Sequence, residues 1–169
     1  IHKLLGRLTD GYRNMLDQLE QQGLLCGPQS LIHCTGAYTD ELPAAGFDPD
    51  KPRTKDIWMF GLAQLLATVS PEMFQEFEVQ NASPICARFG LVYYGCCEPV
   101  HTRWHVIRRM KNLRSVSISP WCDQEKMAAE MGQKYVFCRK PAPSMISTDR
   151  FDEDFIRQDI RHTLSAAKD

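Results

Sequence analysis

The stretch "LVYYGCC", residues 91–97, is an apolar run that ends in two adjacent thiols. Its residues do not alternate between apolar and polar, as they would in a strand with one solvated face. Strands that are buried on both faces have such continuous runs, which are typical of parallel sheets covered by helices. The run therefore predicts a central strand of a parallel sheet. The residues after it, Glu98 and His101, place a carboxylate and an imidazole near the thiols.

On both sides of this run, short strand-like segments alternate with helical ones. We predict further strands at 30–34, 115–119 and 135–138, and helices at 1–22, 56–67, 70–88, 101–110, 124–131 and 152–167. The result is about four βα units. Such alternation predicts an α/β fold whose parallel sheet is either doubly wound or part of a (β/α) barrel. Because no three-glycine phosphate fingerprint follows the first strand, we favour the barrel.

The composition narrows the class of protein. The chain has 169 residues, 43% of them hydrophobic, which is enough for one core and predicts a single domain, residues 1–169. A formal net charge of −1 provides no field that would attract nucleic acid or an anionic membrane. No stretch reaches the roughly 20 apolar residues of a membrane span, so we expect a soluble, cytoplasmic protein. The seven cysteines, an odd number, are expected to be reduced thiols.

Thiols recur at or just after the ends of the predicted strands. In parallel folds, the loops that follow the carboxyl ends of the strands build the active site. Thiolates close to an imidazole or a carboxylate are ligands that zinc prefers. The sequence therefore predicts a thiol-rich edge of the sheet, to which the strand ends contribute Cys34, Cys96, Cys97, Cys122 and Cys138.

The metal hypothesis joins Cys96 or Cys97 to Cys138 and to one of Glu98 and His101, with a coordination position left open for a substrate thiol or water. Adjacent residues of a strand point to opposite sides, so Cys96 and Cys97 can bind one ion only where the strand has already broken into a loop. The alternative is simple packing, since cysteine behaves as a small hydrophobic residue. Packing is the role that we expect for Cys26, Cys34, Cys86 and Cys122.

Other side chains are candidates for catalysis or substrate binding. Asp40 is a candidate acid or base and Glu41 a candidate substrate ligand, or both are solvated surface in a Pro-rich loop. Aromatic side chains beside loops either hold a flat ligand or fill the edge of the core. Besides Asp40, the catalytic candidates are Glu98 and His101; besides Glu41, the substrate-binding candidates are Tyr38, Trp58, Trp121 and Lys140.

Five segments resemble a known family. "YTDELP" (38–43), "SPEMFQEF" (70–77), "YGCCEPVH" (94–101), "NLRSVSISPW" (112–121) and "KYVFCRKPAP" (134–143) are similar to the C-terminal half of uroporphyrinogen decarboxylase-like proteins. The likeness runs from about residue 4 to 166 and is closest to an uncharacterised bacterial branch related to the corrinoid and zinc methyltransferases. It implies the last four strands of a (β/α) barrel, with the decarboxylase family's N-terminal substrate motif outside this chain.

The resemblance also implies a chemistry. Zinc-dependent relatives hold the ion with a His-x-Cys pair and a later Cys; here Cys96 matches, whereas Tyr94 stands in place of the His. Cys97, Glu98 or His101 would supply the missing ligand, and Cys138 the second thiolate. The family mechanism is methyl transfer to or from a thiol, with a small methyl donor or a corrinoid protein bound over the mouth of the barrel.

Half a barrel leaves two sheet edges and one apolar face uncovered, which predicts a homodimer or higher oligomer. Two alternatives to a methyltransferase stay open. One is a catalytically silent half-barrel fragment or assembly module, whose thiols only pack. The other is a decarboxylase of a tetrapyrrole-like substrate that uses Asp and Arg side chains without metal.

Overall fold

A four-stranded parallel sheet forms the centre of the molecule. The computed structural model describes residues 1–168. The strands of the sheet lie side by side in chain order, and each neighbouring pair is parallel. Their bounds are Trp58–Gly61 for β3, Leu91–Tyr94 for β4, Leu113–Ile118 for β5 and Val136–Arg139 for β6. The fold is therefore mixed α/β, as expected.

Helices connect and flank these strands. Their bounds are α1 His2–Gln21, α2 Pro71–Phe74, α3 Gln80–Cys86, α4 Trp104–Ile107, α5 Gln124–Met131 and α6 Glu153–Ala166. A π-helical turn, Gln75–Val79, joins α2 to α3. Ser70 is the N-cap of α2, because its Oγ accepts a hydrogen bond from the Met73 backbone N–H at 3.2 Å.

Two predicted elements differ from the structure. Residues 30–34 do not form a strand of the sheet but lie in an antiparallel hairpin of β1 (Leu31–Ile32) and β2 (Thr35–Gly36). Residues 56–67 are not a helix, since they contain β3 and only a 3₁₀ turn at Gln64–Leu66. The predicted helix at 101–110 shortens to α4, preceded by a 3₁₀ turn at Val100–Thr102.

The helices cover one face of the sheet and enclose the main core. Along β4, Val92 and Tyr94 point to this side and are both completely buried. They pack in one cluster with Val116 and Ile118 of β5 and with Trp104 of α4. Side chains of α5 and of the segment from α2 to α3 complete this core. Because the other two residues of β4, Leu91 and Tyr93, are buried on the opposite face, β4 is a continuous apolar run.

The opposite face is covered by the hairpin and the loop after it. Ile32 and Ala37 pack against Trp58, Leu91 and Tyr93. The indole Nε1–H of Trp58 also donates to the Ala37 carbonyl at 3.0 Å, which fixes the hairpin to the sheet. This face is therefore not bare, contrary to the premise from which we expected a homodimer.

The longest helix, α1, is strongly amphipathic, with buried Leu16 on one side and charged residues on the other. Among residues 1–168, no helix is both long enough and apolar enough to cross a membrane.

Candidate thiol site

The tip of the hairpin brings an imidazole and a thiol over the end of the sheet. His33 and Cys34 are the two turn residues between β1 and β2. His33 has a φ of 52°, in the left-handed region that few residues other than glycine adopt. Its ring stacks on Phe60 of β3, with centroids 4.7 Å apart and planes at 15°. The hairpin is thus held by an aromatic contact in a backbone conformation that costs free energy.

The end of β4 brings Cys96 and Cys97 to the same side. Gly95 follows the strand with a φ of 93° and turns the chain. An added Cβ there would lie 3.3 Å from the Ser117 side chain, so the turn requires glycine. Beyond it, Cys96 Sγ lies 3.6 Å from Cys97 Sγ and 3.3 Å from His33 Nε2. The strand has broken into a loop before the two cysteines, which is the condition under which both can face one ion.

The Glu98 carboxylate accepts hydrogen bonds from the backbone of two loops. It is 4% exposed, and its Oε2 accepts the Cys96 N–H at 2.9 Å while its Oε1 accepts the Ala63 N–H at 3.2 Å. The carboxylate therefore joins the loop after β4 to the loop after β3. In this arrangement, Glu98 positions Cys96 through its backbone, and both of its oxygens are already hydrogen-bonded.

The last strand contributes Cys138 and Lys140, which both contact the hairpin. Cys138 Sγ lies 2.8 Å from Thr35 Oγ1. Lys140 Nζ lies 3.2 Å from both the carbonyl oxygen and the Sγ of Cys34. Cys34, expected to be a packing residue, is instead exposed and lies next to an ammonium group.

The thiol of Cys96 is kept in its protonated form. Its pKa is raised to about 11, first by burial and then by the neighbouring Cys97, Cys34 and Glu98, which disfavour a second negative charge. At neutral pH the side chain is a thiol and not a thiolate, so it is a poor nucleophile without a cation beside it.

His101 and Trp121 lie near the start of α5. His101 Nδ1 accepts the Asp123 backbone N–H at 3.2 Å, and burial lowers the pKa of the imidazole, partly opposed by the Asp123 carboxylate. Asp123 also caps α5 through Lys126 N. Trp121 is 71% exposed. No contact joins His101 to Cys96 or Cys97 among the hydrogen bonds of residues 1–168.

The candidates in the loop after the hairpin are spread over the covered face. Glu41 forms an ion pair with Arg114 at 2.7 Å, and Asp40 is exposed. Tyr38 is 86% exposed, whereas Trp58 is 6% exposed within the core. Tyr38 and Trp58 nevertheless share the lining of a shallow pocket of about 190 Å³.

His33 is a residue of the site that the sequence analysis does not single out. The turn in "LIHCTG", with Gly36 closing a second short strand, is the local signal for a hairpin there. The contact to Cys96, however, spans 63 positions of the chain and has no signature in local sequence. Among the described residues, no group of three or more His, Cys, Asp or Glu side chains has the arrangement of a metal site.

Comparisons with known proteins add no relative. No protein-family model matches the chain, and neither a curated protein nor a solved structure does. The likeness to uroporphyrinogen decarboxylase-like proteins thus rests on the motifs alone.

Proposed function

We propose that the thiol site binds zinc or a similar soft divalent cation, in the C-terminal half of a methyltransferase-like (β/α) barrel enzyme. The observation that carries the proposal is the convergence of His33, Cys96 and Cys97, with 3.3 Å and 3.6 Å between the relevant atoms. Thiolate sulfur and imidazole nitrogen are the ligands that zinc prefers. The described side chains do not yet have ligand geometry, so binding requires rotation of exposed Cys97 and His33.

Residues of this chain would support the chemistry of a bound ion. When bound, the ion would stabilise a thiolate for transfer of a methyl group. Glu98 holds the backbone of Cys96, and Lys140 lies beside Cys34 at the rim. Because the pKa of Cys96 is raised to about 11, the metal must displace a proton from this thiol, and binding strengthens as the pH rises.

The barrel part of the proposal is supported by the strand order. Four parallel strands adjacent in chain order are what half of a (β/α) barrel contains. A methyl donor or a partner-bound corrinoid would approach the carboxyl edge where the thiols lie. Closing a barrel, within one longer chain or between two copies, requires residues 30–42 to leave the sheet face that they now cover.

A second candidate is a catalytically silent module. The observation in its favour is that residues 30–42 cover the second face of the sheet. A sheet with both faces buried is complete without a barrel. On this alternative, the thiols at the edge bind no ion and only fill space.

Metal titration separates the two candidates. We expect the reduced protein to bind about one Zn²⁺ or Co²⁺, and the cobalt form to show sulfur-to-metal charge transfer. Cys96→Ser and Cys97→Ser should each weaken binding by at least about tenfold, and binding to the unsubstituted protein should weaken as the pH is lowered because Cys96 must lose its proton. Cys26→Ser, which removes another exposed thiol, is the matched control.

Cys138→Ser tests whether Cys138 is a metal ligand, as the sequence predicts. Cys138 forms a hydrogen bond with Thr35, so loss of the Cys138 thiol should weaken metal binding less than loss of the Cys96 thiol. Binding that is absent, or that is equal in all four variants, would favour the silent module.

A further inference from the structure

A second site lies on the helix side of the sheet and contains none of the thiols, but Ala63 in its lining donates its N–H to Glu98 beside the thiol site. It is a cavity of about 530 Å³ between the start of α1, the loop after β3, and the segment formed by α2 and the π-helical turn. Its size falls in the range of small-molecule pockets. Nine of its eleven lining residues are apolar, among them Leu5, Leu62, Leu65, Met73 and Phe77.

Several of these apolar side chains are exposed around the cavity. Leu65 is 97% exposed, Met73 43% and Leu62 38%. Large apolar side chains grouped around a concavity mark a binding surface more than they mark an ordinary protein surface. An apolar body inserted here would remove these side chains from water.

The apolar lining is interrupted by Gln64 and by the carboxyl-bearing residue Glu78. Glu78 lies in the π-helical turn, a rare element that is frequent at functional sites. Its Oε1 accepts a hydrogen bond from the Tyr94 hydroxyl at 3.0 Å, which fixes the position of the carboxyl. The geometry points to a ligand with an apolar body and one protonated amine, which would pair with the Glu78 carboxylate. We propose that this cavity binds such apolar amines.

The groups around Glu78 leave its charge uncompensated. Tyr94 on β4, Glu98 after β4 and Cys86 on α3 face it, and none of the three is cationic. Two basic side chains on neighbouring elements are engaged elsewhere: His2 Nε2 of α1 lies 3.0 Å from Glu76 Oε1, and the guanidinium of Arg103, before α4, donates to the carbonyls of Leu66, Ala67 and Val69.

Burial of Glu78 supports the choice of a cation over an anion. Burial raises the pKa of this carboxyl to about 7, with a further rise from Glu98 and an opposing effect of the Tyr94 hydrogen bond. A ligand ammonium would replace the proton that the carboxyl otherwise keeps. An anionic ligand would meet an added repulsion, and a neutral one would gain only the apolar contact.

Calorimetric titration with three six-carbon probes tests the proposal. We expect n-hexylamine to bind at least about tenfold more tightly than n-hexanol near pH 8, with hexanoate weakest. Hexylamine affinity should fall by up to about tenfold per pH unit below pH 7, because the carboxylate must first lose its proton. Hexanol affinity should not change over that range.

Two substitutions assign the effect to this cavity. Glu78→Gln should remove the preference for hexylamine over hexanol and its pH dependence. Met73→Lys places an ammonium at the rim and should weaken hexylamine binding by about tenfold, whereas Met15→Lys, at an equally exposed position of α1 outside the lining, should not. If Glu78→Gln does not fold, judged by circular dichroism, Met73→Lys and its control still decide.

The proposal is overturned if no probe binds, or if hexanol or hexanoate binds as tightly as hexylamine. It is also overturned if Glu78→Gln leaves the preference for hexylamine intact or if Met73→Lys leaves hexylamine affinity unchanged. Metal titration and Cys96→Ser test the thiol site by a separate measurement, so the outcome of the amine titration does not decide whether metal binds.

Discussion

At the scale of single residues, Glu98 makes backbone hydrogen bonds that the sequence does not predict. The motif "CCEPVH" predicts a free carboxylate beside two thiols. The side chain is instead buried, and each of its two oxygens accepts a backbone N–H, from Ala63 and from Cys96. A carboxylate in this arrangement orders both loops and positions Cys96 through its backbone.

Glu98→Gln tests this positioning role. The amide keeps one acceptor oxygen but presents an NH₂ group to one of the two backbone N–H groups, so a buried donor loses its partner. We expect the free energy of unfolding to fall by about 1–3 kcal/mol, measured by urea denaturation. Glu130→Gln, at an exposed position of α5, should change it by no more than about 0.5 kcal/mol. Equal stability of the two variants would contradict the role.

At the scale of elements, the sequence predicted β4, β5 and β6 but missed β3, one of the two edge strands of the sheet. β4, β5 and β6 were found from apolar or β-branched runs near residues 91, 115 and 136, and the structure confirms them. β3 was mistaken for helix, because "WMFG" is only four residues long and is followed by the helix-favouring "LAQLLA". Its pairing with β4, which decides its structure, is a long-range contact and leaves no local signal.

The same limit applies to the site. The cysteines at 96 and 97 were identified because they follow a recognisable strand. Their partner His33 was not, because its approach depends on a hairpin whose strands have two residues each. The apolar cavity was not predicted either, since its lining comes from three separate segments of the chain.

The turn after β4 is the element on which the thiol site depends, and Gly95→Ala should damage it. A φ of 93° is strained for alanine, and its Cβ would lie 3.3 Å from Ser117 Cβ and from Val100 Cγ1. We expect a loss of about 1–3 kcal/mol in the free energy of unfolding and weaker zinc binding. Gly11→Ala in α1, where no atom lies within 4 Å of an added Cβ, should instead stabilise by about 0.5–1 kcal/mol. A Gly95→Ala variant as stable as wild type would show that the turn tolerates a side chain.

At the scale of the whole molecule, the question is whether the sheet is half of a barrel or the middle layer of a completed fold. The strand order suits a half-barrel. The packing of Ile32 and Ala37 on Trp58, Leu91 and Tyr93 suits a completed fold, since it buries the face that a barrel would enclose. Both descriptions leave β3 and β6 with one paired side each among the described strands, so edge pairing between copies stays compatible with either.

Neighbouring residues of β1 distinguish these two arrangements. Ile32 is 7% exposed against the sheet, whereas Leu31 is 64% exposed on the other side of the strand. If residues 30–42 cover the sheet in solution, Ile32→Ala should lower the free energy of unfolding by about 2–4 kcal/mol, and Leu31→Ala by no more than about 0.5 kcal/mol. If the segment leaves the sheet so that two copies close a barrel, the two variants should be equally stable. The unsubstituted chain should then also sediment as a dimer whose association Ile32→Ala does not weaken. Urea denaturation at several protein concentrations, with sedimentation velocity on the same samples, separates these outcomes because only a closed dimer makes stability depend on concentration.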